Sequence, residues 1–173
     1  FCVLSVKPEL RVYLSPLSFH PESQPIPFSY PVAFAGELRK KLGFFKTLGW
    51  VEDTWTLPTG LVTDDFFLQD MNHTVDDFER MMEHELSTSN DRLYIQVFDF
   101  TDRIGHMFWR YLDPTHPFHD PANDPVHVAL MQEAMLEAYQ RMDQIVGKAR
   151  KLAGPEALFL VLSSCLPLIG KMG

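Results

Sequence analysis

Asp102 and His106 stand four residues apart in the run Asp99-Phe100-Thr101-Asp102-Arg103-Ile104-Gly105-His106-Met107-Phe108-Trp109-Arg110. At that spacing a carboxylate and an imidazole share one helix face and can converge on one divalent metal. Carboxylate oxygen and imidazole nitrogen both suit Zn²⁺, and Mn²⁺ or Fe²⁺ as well. The same spacing also serves structure alone, with Asp102 capping a helix start and His106 packed one turn on. Arg103 and Arg110 flank the pair. A guanidinium can grip a phosphate through two parallel hydrogen bonds, or it can pair with Asp99 or Asp113 instead. Phe108 and Trp109, about a turn past His106, can stack on a nucleobase or aryl group, or simply pack in a core.

Other chemistry-bearing residues give weaker patterns. His116 and His119 lie with Asp113 and Asp120 in a proline-punctuated stretch, which favours a surface loop over a second metal cluster. His84 falls on the solvated face of an acidic helix near His73, and His20 and His127 stand in no recognisable pattern. Ser163 and Ser164 lack the Gly-x-Ser-x-Gly context of a hydrolase nucleophile.

The elements that must position Asp102 and His106 follow from periodicity. Leu93-Tyr94-Ile95-Gln96-Val97-Phe98, just upstream, is β-branched, aromatic and nearly continuously apolar, as in a strand covered on both faces. In open α/β sheets, ligands collect at the carboxyl ends of such strands. A helix is expected from Thr74 or Asp76, with Val75, Phe78, Met81, Met82 and Leu86 at helical spacing, ending at Ser87-Thr88-Ser89-Asn90. A long helix is expected from about Val126 to Lys151. Its stripe is Leu130, Met131, Ala134, Met135, Ala138, Met142, Ile145, Val146 and Ala149, with Lys148, Arg150 and Lys151 at the negative end of its dipole. Gly154-Pro155 breaks it, and Ala157 to Leu162 reads as a second buried strand. Upstream, Leu10 to Leu14 alternates like a half-buried strand, the prolines of Ser15–Pro31 demand an extended loop, and Pro31–Leu42 can hold a helix ended by Gly43. Residues 44–70 give no assignment. Helix, strand, long helix, strand is the βαβ order of an open α/β sheet, so the expected class is α/β.

Composition narrows the function classes. The 173 residues carry 15 Lys+Arg against 23 Asp+Glu, a net charge of −8. Residues 51–100 alone sum to −10, which disfavours nucleic-acid backbone binding. No apolar run approaches the ~20 residues a bilayer span needs. Two cysteines, Cys2 and Cys165, exclude a disulfide scaffold and suit a reducing, cytoplasmic compartment. The chain opens on Phe1, not Met, and is expected to be a segment of something longer.

Thr101 to Tyr111, with Asp113-Pro114 and His116-Pro117, resembles the type I phosphodiesterase/nucleotide pyrophosphatase family, and more narrowly the prokaryotic phosphohydrolase/phosphomutase branch of the alkaline phosphatase superfamily. The resemblance extends through Thr47-Leu48-Gly49, Glu52-Asp53-Thr54, Tyr139, Asp143 and Gly147, and covers most of residues 6–163. It implies the central part of a catalytic domain, with an open, mainly parallel sheet flanked by helices and incomplete at both ends. It also implies two divalent metals, Zn²⁺ first and Mn²⁺, Fe²⁺ or Mg²⁺ as substitutes, which clamp a phosphoester or phosphoanhydride for attack by a Thr or Ser. Asp102 and His106 match two ligands of one metal. Arg103, Arg110 and Trp109 are the substrate-binding candidates, and the substrate is a phosphorylated small molecule, nucleotides among them. The family's first metal Asp and its nucleophile have no match here. Where the family continues the last strand with Asp-His-Gly, this chain reads Ser164-Cys165-Leu166, so residues 164–173 are expected to be an aberrant, frameshift-like tail. With the nucleophile and later ligands missing, the isolated chain is expected to be inactive. The competing expectation is a non-catalytic binding or assembly module on the same scaffold.

Overall fold

The computed structural model describes residues 1–47 and 53–163, and the chain divides into two compact units, Phe1–Met81 and Met82–Gly173. The expected tail, residues 164–173, lies outside the described residues, as do Leu48, Gly49 and Glu52.

In the first unit, β1 (Cys2–Ser5) pairs antiparallel with β2 (Arg11–Tyr13), Val3 opposite Val12, with an irregularity between Val3 and Ser5. Tyr13 closes β2. Its hydroxyl donates to Asp53 Oδ2 at 2.5 Å and its ring meets Phe66 edge-on. Burial, reinforced by the Asp53 carboxylate, pushes the Tyr13 phenol up to about 12. The proline-rich stretch is folded around Gln24, whose amide donates to the carbonyls of Pro21 and Val32, both at 2.9 Å. α1 (Phe34–Leu42) follows, burying Ala35 and Leu38 and ending where Gly43 takes φ 89°, a conformation that glycine enters without penalty.

α2 (Asp64–Thr88) starts ten residues before Thr74. Thr63 caps it, its hydroxyl accepting the Phe66 N–H. The apolar spacing continues upstream through the buried Phe67 and Met71, so Thr74 and Asp76 are interior. Thr74 is buried, donates to the Asp70 carbonyl, and accepts from Lys46 Nζ, which also pairs with Asp70 Oδ2 at 2.7 Å. The Ser/Thr run does end the helix at Thr88.

The second unit is built on α3 (Phe100–Phe108) packed against α4 (Pro125–Ala153). Asp124 caps α4 by accepting the Val126 N–H, and Pro125 occupies the first turn. Met131, Met135, Ala138, Ile145 and Ala149 are buried as the stripe predicts. Leu130, about 100° around from Met131, is exposed. At the far end Arg150 Nη1 donates to the Gly154 carbonyl at 3.0 Å.

The expected parallel sheet is absent among the described residues, whose one sheet is the antiparallel pair β1–β2. Residues 93–98 and 157–162 form no ladder. Along the first, exposure still alternates with the period of a strand: Leu93, Ile95 and Val97 are 74%, 76% and 74% exposed, while Tyr94, Gln96 and Phe98 are half-buried. A strand needs a neighbour to bond with, and nothing described supplies one to either segment.

Burial, with Glu85 nearby, pushes the Tyr94 phenol up to about 12 as well. An unfolded chain loses phenol protons near 10, so between about pH 10 and 12 the folded state holds more protons and stability falls as pH rises. Below that interval the contribution is intact. Denaturant titrations at about pH 9 and about pH 11 should show a fall that is smaller in Tyr13→Phe/Tyr94→Phe, and absorbance titration should find the phenol ionisation near pH 12 missing from that variant.

Candidate metal centre

α3 has two faces. Phe100, Ile104 and Phe108, at i, i+4 and i+8, are buried, Ile104 and Phe108 completely. Asp102 and His106 lie on the opposite face, where His106 Nε2 is 3.4 Å from Asp102 Oδ1, with the imidazole 45% and the carboxylate 29% exposed. The two side chains face each other one helical turn apart. A carboxylate oxygen and an imidazole nitrogen facing each other across that gap fit a divalent metal in type. In number they fall short of the three protein ligands that zinc takes, because among the described residues no third His, Cys, Asp or Glu joins them.

The flanking arginines are engaged within the fold. Asp99, at the start of α3, makes no side-chain cap; its Oδ2 pairs with Arg103 Nε at 3.3 Å, one helical turn along the same polar strip. Arg110 stacks its guanidinium over the Tyr111 ring at 4.8 Å and donates from Nη2 to the Tyr111 hydroxyl at 3.1 Å. Trp109 begins a 3₁₀ turn, Trp109–Tyr111, and buries its indole nitrogen with no acceptor among the described residues. Of the sequence candidates, the structure therefore brings together Asp102 and His106, sets Arg103 beside them on an ion pair, and turns Arg110 toward Tyr111.

Residues without a sequence signal hold the end of this segment. The buried Tyr111 packs against Phe108 and edge-on to His127, and its carbonyl accepts from Gln132 Nε2 at 2.7 Å. His119 Nδ1 bonds the Arg110 carbonyl at 2.9 Å. In the loop that follows, Asp113 accepts both the hydroxyl and the backbone N–H of Thr115, which holds its carboxyl below the usual carboxylate range. The loop acids and histidines are thus spent on turns, as the proline punctuation predicts. Elsewhere in the resembling segments, Thr47 donates to the Phe19 carbonyl, Asp53 binds Tyr13 and the Trp55 and Thr56 N–H groups, and Tyr139, Asp143 and Gly147 lie on the exposed side of α4.

Comparison with known proteins finds no matching family model, no matching curated protein and no matching solved structure. Among the described residues no helix is long and apolar enough to cross a membrane.

The asymmetry of α3 is testable. Ile104→Ala should cost about 2–5 kcal/mol through the cavity it leaves. Arg103→Ala should cost no more than about 0.5 kcal/mol, the worth of an i,i+4 pair. Urea denaturation of the two variants against the parent checks the ordering.

Proposed function

We propose that this chain is part of a metal-dependent phosphohydrolase of the phosphodiesterase/nucleotide pyrophosphatase kind that residues 101–111 resemble. The observation that supports it is the facing pair, Asp102 Oδ1 and His106 Nε2, on the exposed face of a helix whose other face is fully buried. Asp102 and His106 would hold one metal, completed by a donor from outside the described residues. A bound metal supplies a Lewis acid for the oxygens of a phosphoester or phosphoanhydride. The chain's own contribution is orientation: packing of α3 on α4 fixes both donors before metal arrives. A phosphomutase would use the same pair and differ only in the acceptor of the phosphoryl group. The substrate is a phosphorylated small molecule, and the charge of residues 51–100 argues against a nucleic acid.

A second reading, a non-catalytic binding or assembly module, is favoured by one observation: the exposed apolar side chains of residues 93–98 and 157–162. Metal linkage separates the two. With Zn²⁺ at tenfold its dissociation constant the chain should gain about 1.4 kcal/mol, seen as a melting temperature that rises with metal concentration. Asp102→Ala and His106→Ala should each abolish the rise. A melting temperature indifferent to both Zn²⁺ and EDTA would overturn the metal reading and leave the module. The isolated chain should not hydrolyse bis(p-nitrophenyl) phosphate at any Zn²⁺ concentration.

A further inference from the structure

His106 Nε2 and Asp102 Oδ1 stand 3.4 Å apart. An ordinary N–H···O hydrogen bond is shorter, at about 2.7–3.2 Å. The gap is instead that of two neighbouring ligands on one zinc: bonds of about 2.0–2.2 Å at the tetrahedral angle put an imidazole nitrogen and a carboxylate oxygen about 3.4 Å apart. Octahedral Mg²⁺, with bonds of about 2.0–2.1 Å at right angles, sets its neighbouring ligands about 2.9 Å apart. The i,i+4 spacing and the packing of α3 on α4 hold this edge of a tetrahedron at the surface, with the imidazole 45% exposed. Phe100, Ile104 and Phe108 bury the opposite face of α3, and among the described residues no further His, Cys, Asp or Glu joins the pair. The two remaining vertices of the tetrahedron therefore lie on the solvent side.

We propose that a second copy of this chain fills those vertices: one Zn²⁺ on a two-fold axis takes Asp102 and His106 from each copy. A tetrahedron has two-fold axes that exchange its ligands in pairs. Two identical oxygen–nitrogen edges thus close around one metal by the symmetry commonest among homo-oligomers. The proposal rests on the metal reading above and supplies the donors that reading leaves outside the described residues. Charge favours the same arrangement. Ligating imidazoles are neutral, so two carboxylates and Zn²⁺ sum to zero, and the centre sits between two surfaces with no uncompensated charge. Without the metal, two chains of net charge −8 repel each other. Arg103, the adjacent cation on α3, is paired with Asp99 at 3.3 Å. Four protein ligands leave no position open on zinc, so the bridging metal joins two chains and hydrolyses nothing, in keeping with the inactivity expected of the isolated chain.

The test is sedimentation velocity on the full chain, in EDTA and then with Zn²⁺ added stepwise, with bound zinc measured in each species. The chain should sediment as a monomer in EDTA, and its mass should double on metal addition with one zinc per two chains. Mg²⁺ at the same concentrations should leave it monomeric. Asp102→Ala and His106→Ala should stay monomeric at every Zn²⁺ concentration that dimerises the parent, with circular dichroism checking that both fold, while Arg103→Ala should dimerise as the parent does. One zinc per monomeric chain overturns the bridge and leaves the metal reading standing. No bound zinc overturns both. A dimer that persists in EDTA or in His106→Ala, or a zinc-dependent assembly larger than a dimer, overturns the bridge as well.

Discussion

Burial of Phe100, Ile104 and Phe108 is the constraint on which the candidate centre depends. A nine-residue helix such as α3 does not persist in water on its own propensity, because nucleation costs more than so few hydrogen bonds return. Each large apolar side chain taken out of water contributes about 1.5–3 kcal/mol. Each polar i,i+4 pair on the other face, Asp99–Arg103 or Asp102–His106, contributes about 0.3–0.5 kcal/mol at most. The apolar face therefore decides how α3 lies on α4, and the polar face points where that packing sends it. Asp102 and His106 face each other because of residues that carry no chemistry at all.

This division explains what was legible in the sequence. The donor pair sits at i and i+4 within one helix, so spacing alone places the two side chains together, and the structure agrees. The α4 stripe is equally local, and Asp124, Pro125 and Gly154 punctuate it by rules that need no tertiary context. Leu130 fails for a local reason too, since it lies off the line through Met131, Met135 and Ala138. The start of α2 was hidden because Thr74 and Asp76 have the chemistry of caps, whereas Thr63, which does the capping, precedes a stretch of mixed aromatics and acids without clear periodicity. The strand Cys2–Ser5 was hidden because its identity lies in its partner, with Val3 across from Val12.

The fate of Arg103 and Arg110 follows the same logic. Asp99 precedes Arg103 by one helical turn, so their pairing was a legible alternative to phosphate binding, and it is the one realised in this structure. Tyr111 next to Arg110 was not legible as a partner, because consecutive helical side chains do not ordinarily face each other, and it is the length of the arginine that carries its guanidinium over the ring. Gln132 reaching back to the Tyr111 carbonyl joins residues 21 apart, and His119 reaching the Arg110 carbonyl joins residues nine apart. Side chain to backbone bonds of that kind leave no periodic trace.

Helices and strands also differ in what they need from the rest of a chain. An α-helix satisfies its backbone internally and asks only for a surface to cover its apolar face, which α4 gives to α3. A strand satisfies its backbone only through neighbours, so an apolar segment without them keeps its composition and its period-two exposure yet forms no sheet. Residues 93–98 do this: the side facing the unit is half-buried, and the row Leu93, Ile95 and Val97 is bare. Such a row is costly in water, yet the described residues contain no parallel pair, and their one sheet is the antiparallel β1–β2. The donors sit on the kind of element that forms from local contacts. That is why Asp102 and His106 face each other where the sheet expected beside them does not form.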